Sequence, residues 1–263
     1  MKTGFTRILC SLFFLPILVL SQNKIDLKAD FDVEKNQIKI AQTITYFNTS
    51  EDTLEDIYLN DWSHSFATKT TPLAKRFAEE YNTAFHFAKN SDRGFSVITS
   101  IHQNEKELTF ERLKNQLDIV KITLNKPLKP KESYTITLNY IVQIPNDKFT
   151  RYGTTSKGDI KLRYWYITPA VYNGEWQYFS NKNLGDLLIP NADLSLELNI
   201  PNNFYVTTEL DELSSIKKDS ISTYKLQGKN RTNNKNNQIK LDAINKLFMN
   251  MSIGLGNSLK KWR

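Results

Sequence analysis

Apolar and polar residues alternate along most of this chain, which is the pattern of a strand with one buried face and one solvated face. A polar turn at residues 33–36 separates the first two alternating segments and predicts a hairpin. The segments that predict strands most clearly are residues 25–31, 38–46, 55–59, 120–124, 134–144 and 194–200.

One segment departs from this alternation. Thr71 is a residue type that caps helices, and Pro72 suits the first helical position. Apolar residues then recur at roughly helical spacing, so we predict a helix over about residues 71–89. On such a helix Phe85 and Phe87 would lie about 200° apart, and one of them should be exposed or covered by another element.

Many strands with a single helix between them predict a mainly β fold. We expect an antiparallel β-sandwich or saddle with the helix inserted, in one domain over residues 22–248. The Asn-rich residues 228–238 predict an exposed loop. Residues 249–263 form a tail to which we assign no role.

The first 21 residues have the pattern of a secretory signal peptide. Lys2 and Arg7 precede an apolar stretch at 8–20, which is shorter than the roughly 20 residues of a membrane span. Cleavage before Gln22 would give an exported protein, periplasmic or extracellular, without a stable membrane span. The alternative is an uncleaved N-terminal anchor.

The cysteine content and the charge exclude several classes of function. Cys10 is the only cysteine and lies in the predicted signal peptide, so the mature chain would have no disulfide and no thiolate metal site. The formal net charge is +7, with 35 basic and 28 acidic residues mixed along the chain. Because interspersed charge is typical of a solvated surface, we predict no nucleic-acid partner.

The sequence has no recognisable catalytic motif. Its three histidines, His64, His86 and His102, lack the spacing of a helical zinc motif, and no nucleophile elbow or phosphate loop occurs. We therefore predict no catalytic residue, no metal ligand and no cofactor in this chain. A hydrolase site assembled from residues distant in sequence is the alternative.

Residues 164–179 are the most distinctive part of the chain because seven aromatic side chains surround one proline and an Asn-Gly turn. Trp and Tyr favour interfaces, so this segment predicts an interface or ligand surface. A well-packed corner between sheets would have the same composition. Trp165 should lie in the core and Trp176 nearer the surface. The predicted surface residues are Trp165, Tyr172, Trp176, Tyr178 and Phe179.

A series of segments carries a resemblance to a known family. The segments are residues 32–38, Q-T-I-T-Y-F-N at 42–48, 52–60, D-W-S-H-S-F at 61–66, the predicted helix, W-Y-I-T-P-A-V-Y at 165–172, N-L at 183–184, and 192–201. In this order they resemble the N-terminal domain of M1-family zinc aminopeptidases, particularly a divergent bacterial branch. The resemblance covers roughly residues 25–245.

The resemblance implies a β-saddle that packs on a thermolysin-like catalytic domain. The family's H-E-x-x-H and G-x-M-E-N motifs belong to that other domain, and neither occurs here. It therefore implies a non-catalytic module, inactive alone, that serves as scaffold or substrate-side wall for a peptidase domain, which would hold the zinc. The chain would be an orphan, a truncated product or part of a split protein. The alternative is an exported β-sandwich module that binds a polymer or a cell-surface partner.

Overall fold

The computed structural model describes residues 22–233 and 237–244. Within these ranges the fold is mainly β, with several sheets and a single α-helix, so the predicted fold class is confirmed. The predicted signal peptide and the tail at 249–263 lie outside the described residues. In the described part of the chain, no helix is long and apolar enough to cross a membrane.

Eighteen strands and one α-helix, α1 (Pro72–Glu79), make up the described ranges, together with 3-10 turns at Trp62–Phe66 and Asn90–Asp92. Numbered along the chain, the strands are β1 (Asn23–Asp32), β2 (Gln37–Phe47), β3 (Leu54–Asn60), β4 (Phe95–Gln103), β5 (Lys106–Glu107), β6 (Phe110–Leu113), β7 (Gln116–Leu128), β8 (Ser133–Gln143), β9 (Gly153–Thr154), β10 (Ile160–Leu162), β11 (Thr168–Pro169), β12 (Val171–Tyr172), β13 (Trp176–Gln177), β14 (Leu188–Pro201), β15 (Phe204–Thr208), β16 (Asp211–Lys218), β17 (Ile221–Asn233) and β18 (Ile239–Ala243).

The largest sheet has eight strands in the order β16-β17-β14-β1-β2-β8-β4-β5. The predicted hairpin is its β1–β2 pair, and the turn between these strands has Asn36 in the left-handed region at φ 56°. The sheet departs from the expected antiparallel pairing where β1 lies parallel to β14, with Ile25 opposite Leu194. A parallel pair needs a long connection, and here the intervening chain forms most of the fold.

Alternation along the central strands of this sheet matches burial. On β8, Tyr134, Ile136, Leu138, Tyr140 and Val142 are buried while the residues between them are more exposed. The same face of the sheet carries the buried residues of β2, because β2 and β8 pair in register along their full lengths.

Two four-stranded sheets complete the core, in the orders β11-β3-β7-β6 and β15-β18-β10-β9. Residues of both sheets and of the large sheet belong to one continuous buried cluster. Strands β12 and β13 form a separate two-stranded hairpin, which has no ladder of backbone hydrogen bonds to these sheets.

The helix is much shorter than the predicted 71–89. It begins as expected, since the Thr71 hydroxyl accepts a hydrogen bond from the Ala74 backbone N–H at 3.3 Å and Pro72 follows. It ends at Glu79 because Tyr81 takes a left-handed conformation with φ 57° and turns the chain.

The chain beyond the helix folds back onto the same core. Phe85 is 1% exposed and its ring contacts those of Phe66, Phe77 and Phe149. Phe87 is 78% exposed, so one of the two is exposed as predicted, although neither residue lies on the helix from which the prediction was made. The helical spacing of apolar residues continues beyond the end of α1. The reason is that the turn after the helix brings Phe85 back to the same part of the core that α1 contacts.

The prediction of an exposed loop at residues 228–238 is wrong for residues 228–233, which continue a strand, while residues 234–236 lie outside the described ranges. β17 continues to Asn233 and pairs with β14, so backbone pairing outweighs the polar composition of this segment. Asn237 is buried, and its side-chain NH2 group donates to the Tyr166 hydroxyl at 2.8 Å.

Candidate functional site

The structure divides the aromatic segment among three places. Trp165 lies in the core and is 1% exposed, as expected for its position, so its prediction as an interface or ligand residue is wrong because its ring is buried. Tyr172, Trp176 and Tyr178 lie together at the surface around the β12–β13 hairpin. Phe179 is separate from them, with its ring 5.9 Å from that of Trp62.

Five aromatic rings form one partly exposed cluster, which we call the aromatic surface. Trp176 lies at its centre, with ring centroids 5.7 Å from Tyr46, 5.7 Å from Tyr58 and 5.2 Å from Tyr172. Tyr58 and Tyr178 stack in parallel at 4.6 Å. Strand β3 positions Tyr58, strand β2 positions Tyr46, and the hairpin brings the others against them.

The hairpin has a tight turn, and the Tyr172 hydroxyl lies within hydrogen-bond distance of the Gly174 carbonyl oxygen, at 3.0 Å, and of Asp52. Gly174 has φ +73°, a conformation that residues with a Cβ rarely adopt. The Tyr172 hydroxyl donates to the Asp52 carboxylate at 2.9 Å, and this hydrogen bond raises the pKa of Tyr172.

Two grooves lie beside the hairpin and share Tyr172 in their linings. The groove on the β3 side has a volume of about 540 Å³ and is lined by Tyr58, Trp176 and Tyr178 together with Glu55, Asp56 and Glu175. Asp56 is paired with Lys121 at 3.0 Å. The second groove, about 510 Å³, is lined by Tyr46 and Tyr172, by apolar side chains and by four amide side chains.

A smaller and more enclosed cavity, about 250 Å³, lies beside Trp62 and Tyr164, whose rings meet edge to face at 4.8 Å. Trp62 donates its indole N–H to the Phe179 carbonyl oxygen at 3.0 Å. Arg163 donates to Asp186 at 2.6 Å and to the Tyr164 hydroxyl at 2.7 Å. We refer to this space as the Trp62 cavity.

A buried polar network connects the 3-10 turn after β3 with strands β4 and β6. Arg112 lies 2.7 Å from the Asp61 carboxylate and 2.9 Å from the Ser96 hydroxyl, which itself donates to Asp61. The His64 Nδ1 atom is 3.3 Å from the same hydroxyl. Burial, and then the charge of Arg112, lower the pKa of His64.

These residues include a serine, a histidine and a carboxylate, but their connections differ from those of a hydrolase. Asp61 hydrogen-bonds Ser96 directly instead of orienting the imidazole of His64. Ser96 is 2% exposed, so a substrate has no access to its hydroxyl. The network therefore gives no support to the hydrolase alternative, and its charge pairing with Arg112 indicates a structural role.

A second buried carboxylate fixes the segment that follows the hairpin. Asp118 is 1% exposed and accepts hydrogen bonds from the Ser180 hydroxyl at 2.6 Å and from the Asn181 backbone N–H at 2.8 Å. Burial raises the pKa of Asp118 to about 6, although both hydrogen bonds lower it in part. Asn181 lines the Trp62 cavity, so Asp118 positions one wall of that cavity.

Sequence reasoning did not find this network or the cavity. One signal was present, because Asp118 interrupts the apolar run of a strand and Asp61 directly follows one. A carboxylate in such a place is either paired or functional. In residues 22–233 and 237–244, no three His, Cys, Asp or Glu side chains form a group that could hold a metal ion.

The fold and these sites define a β module with an aromatic surface. Its sequence matches no family model and no curated protein. Among solved structures, it is similar to an M1 zinc metallopeptidase from Deinococcus radiodurans, with a TM-score of 0.50 and 10% identity over 84% of this chain and 40% of that chain. A mutant of that enzyme bound to a Tyr-ser-ala substrate gives the same TM-score and identity, with 41% of its chain covered.

The chain thus spans about two fifths of the length of these peptidases. At 10% identity the similarity shows a shared fold. The fold is that of one part of an M1 zinc metallopeptidase, consistent with the N-terminal domain that the sequence resembles.

Proposed function

We propose that this chain is an exported, non-catalytic module that packs against an M1-type peptidase domain, as a scaffold or as a wall on its substrate side. The observation that carries the proposal is the shared fold, which covers 84% of this chain but only 40% of the metallopeptidase chain. The zinc and the catalytic residues would then belong to the partner.

The aromatic surface is the contact we propose for this partner. Protein interfaces are enriched in Trp and Tyr at their centre, and the truncation of such an anchor to Ala commonly costs about 2 kcal/mol or more. Trp176 is only partly buried in the isolated chain and lines the groove on the β3 side, and Tyr172 lines both grooves, which a partner could fill.

The test is to mix the mature chain with an H-E-x-x-H peptidase domain encoded next to it and to titrate the complex by fluorescence. A Trp176→Phe variant gives the signal of the other tryptophans, so the difference reports Trp176. We expect a one-to-one complex, and a roughly thirtyfold loss of affinity in Trp176→Ala. Tyr205→Ala is the matched control, because Tyr205 is 62% exposed on β15 and lies outside the aromatic surface.

A complex that forms with equal affinity in Trp176→Ala and Tyr205→Ala would place the interface elsewhere. The absence of any complex would refute the proposed partner.

The second candidate function is a module that binds a polymer or a cell-surface partner. The groove on the β3 side favours it, because the Tyr58–Tyr178 stack lies beside three carboxylates, an arrangement of aromatic faces and polar groups suited to an extended ligand. Retention of the chain on an immobilised polysaccharide, lost in Tyr178→Ala and without a peptidase domain present, would favour this function.

A further inference from the structure

The Trp62 cavity shares no lining residue with the two grooves at the aromatic surface, so the proposed function does not account for it. Its walls combine aromatic rings with charged side chains. The aromatic wall is formed by Trp62, Phe66 and Tyr164, and Leu184, which is 67% exposed, lies at the rim.

Two guanidinium groups line this cavity. Arg151 is exposed, and within the described residues its side chain has no hydrogen bond or ion pair. Arg163 has a side chain only 12% exposed; its Nη2 atom binds Asp186 and Tyr164, but its Nε atom is buried without a hydrogen-bond partner.

A third polar group is unsatisfied at the same place. Tyr152 lines the cavity, is 4% exposed, and has a hydroxyl that lies near Ser63 but makes no hydrogen bond of normal geometry. The Ser63 hydroxyl donates instead to the Tyr164 carbonyl oxygen at 3.2 Å. A buried donor without a partner is unfavourable by roughly 1–3 kcal/mol, but this hydroxyl has almost no accessible surface and lies behind the cavity wall, so a ligand would contact the arginines instead.

The charges select the class of ligand. Two arginines and Asp186 leave one surplus positive charge, which suits a monoanion better than a phosphate dianion because Asp186 would repel the second negative charge. The guanidinium fork binds a carboxylate through two hydrogen bonds. A volume of about 250 Å³ corresponds to about eight waters, so the ligand has on the order of eight to ten heavy atoms.

We propose that the Trp62 cavity binds a small organic monocarboxylate. Arg151 and Arg163 hold the carboxylate group, and the apolar body of the ligand packs between Trp62 and Leu184. This proposal does not depend on a peptidase partner, because all of these residues belong to this chain.

The experiment compares benzoate with benzamide, which have the same size and shape but differ in charge. Binding to the mature chain is followed by ligand-observed NMR and by titration calorimetry at low ionic strength. We expect saturable binding of benzoate, with a dissociation constant on the order of 0.1–1 mM, and binding of benzamide at least tenfold weaker. Inorganic phosphate at the same concentration should not displace benzoate.

Arg151→Gln removes one guanidinium without breaking an internal contact, and it should weaken benzoate binding about tenfold or more. Lys182→Gln is the matched control, because Lys182 is exposed in the neighbouring loop and does not line the cavity. Leu184→Ser should weaken benzoate binding while leaving thermal unfolding unchanged.

Four outcomes would overturn the proposal. The first is equal affinity for benzoate and benzamide, and the second is displacement of bound benzoate by phosphate. The third is an equal loss of benzoate affinity in the Arg151→Gln and Lys182→Gln variants. The fourth is no saturable binding of benzoate up to about 10 mM.

Discussion

The buried carboxylate of Asp118 makes the stability of the fold depend on pH. Burial raises the pKa of this group from its ordinary value of 3.8 to about 6. Because the folded pKa lies above the unfolded one, the folded chain binds the proton more tightly. The stabilisation by the proton is fully present below about pH 4 and is lost as the pH rises through about 6. A difference of about two pKa units corresponds to about 3 kcal/mol in full.

The perturbation that isolates this effect is Asp118→Asn. The variant keeps an oxygen that accepts from the Ser180 hydroxyl but has no ionisable group, so its stability should not carry this pH dependence. Between pH 4.5 and 7.5 the wild type should lose about 2 kcal/mol relative to the variant. The measurement is urea unfolding of both proteins across that range, with the difference in unfolding free energy plotted against pH.

Ser180→Ala is the companion variant. Removal of the hydroxyl that donates to Asp118 takes away the largest interaction that lowers its pKa, so the loss of stability should move to higher pH. The reasoning would be refuted if the difference in unfolding free energy between wild type and Asp118→Asn stayed constant within about 0.5 kcal/mol across the range. Asp118 would then have the same pKa in the folded and unfolded states.

Four further substitutions test the core, the helix and the polar network by chemical denaturation. Phe85→Ala should lower the unfolding free energy by about 3–5 kcal/mol because it leaves a cavity among packed rings, whereas Phe87→Ala should change it by less than about 0.5 kcal/mol. Thr71→Ala removes the cap of the helix and should cost about 1 kcal/mol. Arg112→Ala leaves the buried Asp61 charge without its partner and should destabilise by about 3–5 kcal/mol; a loss below about 1 kcal/mol would show that solvent reaches Asp61.

The strands could be predicted from the sequence because alternation and burial coincide residue by residue, as on β8 and β14. The end of the helix could not be predicted. Tyr81 adopts a left-handed conformation, which a glycine at this position would have indicated in the sequence. Phe85 lies in a turn, yet its spacing from the apolar residues of the helix is still helical. Local periodicity indicates which side chains are buried. Here the helix and the turn that follows it have different backbone conformations, but both bury side chains against the same part of the core.

The candidate sites depend on contacts between distant residues, which limits what local patterns can show. The aromatic segment was visible as composition, but its division among the core, the hairpin and the Trp62 cavity depends on packing against Tyr46, Tyr58 and Trp62. The network of Asp61, Ser96 and Arg112 joins three elements that the sequence separates by 16 to 51 residues. Nothing in their own neighbourhoods indicates that they meet.

The parallel pairing of β1 with β14 has a consequence for the order in which the chain folds. β1 is an interior strand of the large sheet, and the Asp30 side chain accepts a hydrogen bond from Asn199, 169 residues further along. The β1–β2–β8 part can form early, but one side of β1 has no neighbour until β14 has been synthesised. Closure of such a long loop is slow, so the unpaired side of β1 is the surface most exposed to wrong pairing during folding.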